Sequence, residues 1–552
     1  MSEVTVSARV WVSQRDAFTF PEREVEAVMA RPDAALCFSG GGSRAMSASL
    51  GYLRGLTKQG LVDRVRYISA VSGGSWATSL FTYYRAGARD DAQFLDLGLD
   101  APTDPGTLSL DALGAELPAG SMASVITSSL RDALFEAIRE GGEQNIWNRA
   151  VAKIYLEPFG LVDPQKVLAP CLDAATRDAI RARPGNAGVP GLEPDNFIFP
   201  RPGRPFLVVN ACIVEPDDTR AFAAQNPISL QCTPLYVGSL QPLKIRYAGE
   251  PFGDVVLPMG GGAVESFAFG GEGPAQVQSG ELSCVPTNPV NIQARQTLEF
   301  AVGCSSAAYG AVADELPILD DMRQYTPTLP YWPVREGAVP ETRVFDVADG
   351  GVLENYGLLA MLQRRVPKAV VFINTNTPID LDYVPFAEGR HGKVKDKLDV
   401  YLVNLFGVEQ SSTGTDLQNN TVFTHAAFKA LVAALQAKRR AGGPVVVRQR
   451  LEVQANDWWG IEGGWSCEIM WVYLARLPQW EAKLPEDTRE AIDEGDRAIF
   501  KKHLLRNFPH YKTIAENTGT LVELTPAQIR ALAAMSEWVI ESSADELGEF
   551  LG

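Results

Sequence analysis

Histidine is scarce in this chain: 552 residues hold only His391, His425, His503 and His510, none inside a recognisable motif. A solitary histidine is more often structural or solvated than catalytic, so histidine chemistry has little to draw on. The seven cysteines (Cys37, Cys171, Cys212, Cys232, Cys284, Cys304 and Cys467) are scattered, odd in number and without a C-x-x-C pair. They signal neither a zinc site nor a secreted disulfide framework, and reduced thiols are the default. Basic runs are absent too, with 50 Lys plus Arg against 67 Asp plus Glu and a formal charge of -17. That balance argues against nucleic acid or a strongly anionic bilayer as a partner, so membrane-surface contact would rest on apolar surface. No stretch approaches the roughly 20 apolar residues that span a bilayer. Met1 to Phe20 mixes Glu3, Arg9, Arg15 and Asp16 into its apolar residues, unlike a signal peptide. The expectation is a cytoplasmic or membrane-peripheral protein with no metal and no cofactor.

Apolar residues make up 46% and charged residues 21%, ordinary for a folded globular chain. The length admits one large elaborated domain or two. A short apolar run, Ala34 to Ser39, stops at Gly40-Gly41-Gly42, and Met46, Leu50, Leu53 and Leu56 then fall at helical spacing. Val65 to Val71 reads as a second buried strand, ending at Ser72-Gly73-Gly74 before another helix. The pattern returns late: Val344 to Val347 lead to Asp349-Gly350-Gly351, a helical run to Arg365 and a strand from Ala369 to Ile373. An α/β fold follows, a mostly parallel central sheet flanked by helices in three layers.

Residues 1–30 read as an N-terminal extension, 31–480 as one domain with an insertion or cap at about 95–200, and 481–552 as a C-terminal helical segment on the same domain. Within the insertion, Met122, Val125, Ile126, Leu130, Leu134 and Ile138 fall at helical spacing. Such a stripe reads as a face packed on the sheet rather than a mobile lid. Val445 to Val453 and Ile469 to Leu474 read as a late antiparallel hairpin. Its tryptophans, Trp458, Trp459, Trp465 and Trp471, read as largely buried rather than membrane-docking. Thr525-Pro526-Ala527-Gln528 is a capping box that opens a last helix.

Ser72 stands between a buried strand and a helix, with Gly73 and Gly74 beside it, as a nucleophile elbow requires. Ala70 occupies the place of the usual first glycine and is small enough to be tolerated. Gly40-Gly41-Gly42 also links a strand to a helix, so its N–H groups can converge on an anion. The spacing fits neither a P-loop nor a Rossmann fingerprint, which leaves an oxyanion hole. Arg44 reads as a holder of substrate phosphate or of this loop, or as a plain surface arginine. Asp349, before two glycines at a third strand-to-helix junction, is a turn signal by itself and a candidate base if it meets Ser72.

Ser39-Gly40-Gly41-Gly42-Ser43-Arg44-Ala45-Met46, Ser72-Gly73-Gly74-Ser75-Trp76 and Asp349-Gly350-Gly351-Val352-Leu353-Glu354-Asn355-Tyr356-Gly357 together resemble the patatin-like and cytosolic phospholipase A families. The likeness is specific for roughly 31–85 and 340–375. It implies a lipid acyl hydrolase acting on phospholipid or lysophospholipid through an acyl-enzyme. Ser72 would be the nucleophile and Asp349 the base. Gly41 and Gly42 would form the oxyanion hole, and Arg44 would lie near the substrate phosphate or the glycine loop. Gly73 and Gly74 would shape the elbow. No calcium-dependent membrane-binding module is recognisable before residue 31. The order Ser, Asp, His also suits an α/β-hydrolase triad, the chemical alternative. A catalytically silent lipid-binding protein of the same fold is another.

Overall fold

The computed structural model describes residues 5–552 apart from 14–17, 85–90, 97–102, 140–144, 164–165, 217–225, 248–253, 286–296, 309–325, 386–393, 395, 409–416, 498–503 and 514–522. Among the described residues one mixed sheet of 13 strands dominates. Its strands are β1 (Val6–Val12), β2 (Ala34–Phe38), β3 (Tyr67–Val71), β4 (Phe206–Pro216), β5 (Ile228–Cys232), β6 (Tyr236–Ser239), β7 (Gly262–Glu265), β8 (Gly280–Cys284), β9 (Thr328–Tyr331), β10 (Arg343–Asp349), β11 (Lys368–Ile373), β12 (Val446–Val453) and β13 (Trp465–Tyr473). The spatial order is β8-β1-β7-β6-β5-β4-β3-β2-β11-β13-β12, with β10 on β4 and β9 on β10.

The centre of the sheet is parallel, from β4 through β3, β2 and β11 to β13. β2 and β3 are buried at every position, as strands covered on both faces must be. Each large apolar side chain buried there contributes roughly 1.5–3 kcal/mol relative to exposure. On either side the sheet continues antiparallel, as the hairpin of β12 and β13 at one end and as β5, β6, β7, β1 and β8 at the other. The helices that shape the site are α1 (Gly42–Lys58), α2 (Ser72–Tyr83), α3 (Leu130–Arg139), α4 (Ile146–Val151), α5 (Leu298–Ser305), α6 (Leu358–Gln363) and α7 (Pro526–Ser542). Tyr52 of α1 stacks on Phe372 of β11, which in turn stacks on Phe38 of β2, so helix and sheet share one aromatic column.

One long strand decides the geometry of the site. β3 runs parallel to β4 and ends where Val71 faces Asn210. β10 runs antiparallel to β4 and ends where Asp349 faces Ala211. The two chains therefore arrive head to head on adjacent positions of β4, a direction that apolar patterning does not encode.

The insertion stripe is not one helix. Met122–Val125 forms a 3-10 turn, and a separate α3 begins at Leu130. Ser129 divides them, because its hydroxyl accepts from Asp132 N–H at 3.1 Å and so starts a new helix. Of the four hairpin tryptophans, Trp459 and Trp471 are buried and Trp458 and Trp465 half-buried. Trp459, Trp465 and Trp471 each donate their indole N–H to a protein acceptor. The capping box at Thr525 and Gln528 is formed.

Candidate active site

Ser72 opens α2 directly from the end of β3, with φ +51° in the left-handed region. A non-glycine residue held there costs on the order of 1–3 kcal/mol, so its surroundings must over-determine it. They do: Ser72 N–H donates to Ser305 Oγ at 3.0 Å, Ser72 C=O accepts from Ser75 Oγ at 2.6 Å, and Ser72 Oγ donates to Asp349 Oδ2 at 2.7 Å. Gly73 is required for close approach, since a Cβ there would lie 2.1 Å from Gly42 O. Ala70 needs no such freedom, because it is an extended, fully buried residue of β3 paired with Phe38 and Val209.

Asp349 is the last residue of β10 and is 6% exposed. Its second oxygen, Oδ1, accepts from Gly351 N–H at 2.7 Å, which leaves both carboxylate oxygens oriented. Burial pushes its pKa up to about 6, while the hydrogen bonds from Ser72 and Gly351 pull it back. A carboxylate poised near neutrality can take a proton from an alcohol and return it, which an ordinary exposed aspartate does poorly.

The glycine loop lies across from this pair. Gly41 has φ +133°, a conformation that side chains rarely adopt, and it places the next residues at the start of α1. The first N–H groups of a helix have no acceptor within it, and Gly41, Gly42 and Ser43 border the same cavity as Ser72 and Asp349.

Arg44 is not a surface residue. It is 6% exposed, and its Nε and Nη1 donate to Asn374 O at 3.1 Å and Tyr511 O at 2.6 Å. Burial lowers its pKa to about 10 against the opposing pull of Asp399 and Tyr401, so it stays cationic at neutral pH. Asn374 also donates its N–H to Ser39 Oγ at 2.7 Å, tying the end of β11 to the residue before the glycines.

These groups border a cavity of about 410 Å³. Its lining includes an apolar and aromatic set, Trp76, Ile126, Leu130, Trp147 and Tyr155, and a polar set, Asn376, Thr377, Asp399 and Tyr401. Trp76 and Tyr155 stack with ring centroids 4.3 Å apart. Four of those five apolar residues lie between 126 and 155, which the helical periodicity of that stretch alone does not disclose.

His391 and His503 lie outside the described residues. His510 is buried, with Nδ1 3.1 Å from Thr375 O, and burial together with the charge of Arg44 lowers its pKa to about 4, so it is neutral. His425 sits at the start of the helix His425–Ala441. Neither borders the cavity, and the carboxylate of Asp349 is held by Ser72 and Gly351. Among the described residues no group of three or more His, Cys, Asp or Glu is placed to hold a metal ion. Nor, among them, is any helix long and apolar enough to cross a membrane.

The sequence does not single out Ser305, Asp399, Tyr511 or Thr513. None carries a local signal, since each reaches the site only through chain contacts tens to hundreds of residues away.

Human and mouse cytosolic phospholipase A2 zeta are each 52% identical to this chain over 54 residues, a segment that is 10% of this chain and 6% of theirs. Among solved structures, human GIVD cytosolic phospholipase A2 is 14% identical, with 95% of this chain and 62% of that one covered at a TM-score of 0.41. The same protein in complex with methyl gamma-linolenyl fluorophosphonate is 13% identical, with 94% and 59% covered at 0.43. The chain thus matches only a small part of the curated relatives and spans less than two thirds of the solved ones. The family model for patatin-like phospholipases matches residues 36–362, more than half of the chain and the three blocks around Gly41, Ser72 and Asp349, and the chain belongs to that family.

Proposed function

We propose that this protein hydrolyses carboxylic esters of lipids, of the phospholipid or lysophospholipid type, through an acyl-serine intermediate on Ser72. The observation that carries the reading is the 2.7 Å hydrogen bond from Ser72 Oγ to the buried Asp349, inside a cavity that no described histidine borders. In the first half-reaction Asp349 takes the Ser72 proton as Oγ attacks the acyl carbon. The N–H groups of Gly41 and Gly42 hold the oxyanion, and each such donor is typically worth about 2.7–4 kcal/mol to the transition state. Collapse breaks the ester bond, and Asp349 returns the proton to the departing alcohol oxygen. In the second half Asp349 takes a proton from water, hydroxide attacks the acyl carbon, and the carboxylic acid leaves as Ser72 regains its proton.

The position of Ser72 at a helix N-terminus favours the negative charge that develops there. The aromatic wall of Trp76, Trp147 and Tyr155 suits an acyl chain. Arg44 holds the glycine loop, because two of its donors are committed to main-chain carbonyls. Gly73 lets the elbow close against that loop and Gly74 lets it close against the end of β2 at Phe38 and Ser39.

The test is to incubate wild type, Ser72→Ala and Asp349→Asn with a mixed lipid panel and identify released fatty acids and lyso-lipids by mass spectrometry. Both variants are expected to release none above background. Retained lipid binding without turnover, and without fluorophosphonate labelling of wild-type Ser72, would instead make this a silent lipid-binding member of the family.

A further inference from the structure

We infer that Ser305, at the C-terminal end of α5 and 233 residues from Ser72 in sequence, is a positioning residue that sets the nucleophile; the inference rests on reading Ser72 as that nucleophile. Ser305 is fully buried. Its hydroxyl donates to Asn210 O at 2.7 Å, and its oxygen accepts from Ser72 N–H at 3.0 Å. With the hydroxyl hydrogen committed to Asn210 O, the oxygen lone pairs are turned toward Ser72.

Among the described residues, Ser305 is the group that holds this N–H. As the first residue of α2 its amide has no acceptor within the helix, and the ladder of β3 with β4 stops one residue earlier, at Val71 facing Asn210. Ser305 takes over where the ladder stops, joining Ser72 N–H to the carbonyl of that last paired residue. The neighbouring contacts reinforce the same point: Asn210 Nδ2 donates to Ser69 Oγ at 2.9 Å and to Ala70 O at 3.1 Å, so β3 is pinned up to the residue before the turn. The left-handed φ of Ser72 is what directs Oγ to Asp349, and the Ser305 hydroxyl is the contact that fixes the peptide preceding it.

Removing that hydroxyl leaves a buried N–H and a buried C=O unpaired. The backbone can satisfy both by rotating Ser72 N–H toward Asn210 O, and the same rotation carries Oγ away from Asp349. Substrate binding, which uses other walls of the cavity, is not touched. The signature is therefore a loss in kcat with KM unchanged.

Wild type, Ser305→Ala, Ser305→Thr and Thr297→Ala are compared as full chains. The readouts are the rate of phosphonylation by a fluorophosphonate with the labelled residue identified by peptide mass spectrometry, kcat and KM on a lysophosphatidylcholine, and Tm. Thr297 caps the other end of α5, its side chain accepting from Phe300 N–H at 3.0 Å, so its loss weakens the same helix without touching Ser72. Ser305→Ala should slow phosphonylation and kcat by roughly 10- to 100-fold at constant KM, the usual scale for a displaced reacting group. Ser305→Thr, which keeps the hydroxyl, should recover most of the rate, while Thr297→Ala should lower Tm and leave kcat in place. Wild-type rates in Ser305→Ala, no recovery in a folded Ser305→Thr, or an equal loss of kcat in Thr297→Ala would each overturn the inference. Absence of label on wild-type Ser72 would instead overturn the nucleophile reading beneath it.

Discussion

Asp349 is held in a place where ionisation is costly, and its cost is measurable. In the unfolded chain its proton leaves near the ordinary 3.8; in the folded protein burial holds it until about 6. Between those values the native state binds a proton that the unfolded state has released, so stability falls as pH rises through this window. Above about 6 the full cost is present, and Asp349→Asn, which keeps an acceptor for Gly351 N–H, should raise Tm at pH 8 with the gain vanishing below about pH 4. Activity runs the other way. As the proposed base, Asp349 must be ionised, so kcat/KM of the wild type should climb as pH increases through about 6 and level off above it, read from a pH–rate profile on a non-ionising ester. Arg44 gives a second prediction at this scale. If its guanidinium braces the glycine loop through Asn374 O and Tyr511 O, Arg44→Ala should cost about tenfold or more in kcat on a phosphate-free p-nitrophenyl ester as well as on a phospholipid. A loss confined to the phospholipid would return Arg44 to the substrate phosphate.

Among the elements, α1 matters most because its first turn borders the candidate active site. It is braced along its length by α7, and the contact is close: a Cβ on Gly51 would lie 2.1 Å from Ala533 O, a backbone atom that has nowhere to go. Gly51→Ala should therefore destabilise by about 1–3 kcal/mol, read as a fall in the urea midpoint. Gly114 lies in the short helix Leu110–Gly114 with nothing within 4 Å of its would-be Cβ, so Gly114→Ala should be neutral or stabilising by up to about 1 kcal/mol. Periodicity showed α1 as a helix, and a capping box showed where α7 starts. It did not show that they pack together, because helix pairing depends on which glycines face which carbonyls across nearly 500 residues. The insertion stripe failed for a local reason: Ser129 offered the backbone a cap in mid-run.

The whole molecule is stitched by contacts that join distant segments. Arg364, just after α6, is fully buried and donates to Glu22 Oε1 at 2.8 Å, Gln231 Oε1 at 2.8 Å and Tyr236 OH at 2.7 Å, with Phe20 under its guanidinium at 4.4 Å. This one side chain ties the segment before β2 and the antiparallel wing to α6. Arg364→Met would strand the Glu22 carboxylate in the interior and should cost about 3–5 kcal/mol, whereas Glu22→Gln combined with Arg364→Met should recover much of it. Chemical denaturation of the two variants decides between these outcomes. The reach of the site is comparably wide, because Arg44 is anchored by Tyr511, about 150 residues beyond the end of the matched family region.

Read alone, the residues marked the three strand-to-helix junctions at which Ser72, Asp349 and the glycine loop stand. Their demands are short-range: a positive φ, a close backbone approach or a buried run leaves a mark on neighbouring residue types, as Gly41 and Gly73 show. What the tertiary structure decided was how these pieces meet. The 2.7 Å contact between Ser72 and Asp349 exists because β3 and β10 end on adjacent residues of β4 from opposite directions. Ser305 serves the elbow because α5 lies on that same strand, so its hydroxyl reaches both Asn210 and Ser72. A serine is an ordinary residue at any helix end, and only the surface it is pressed against gives it a role.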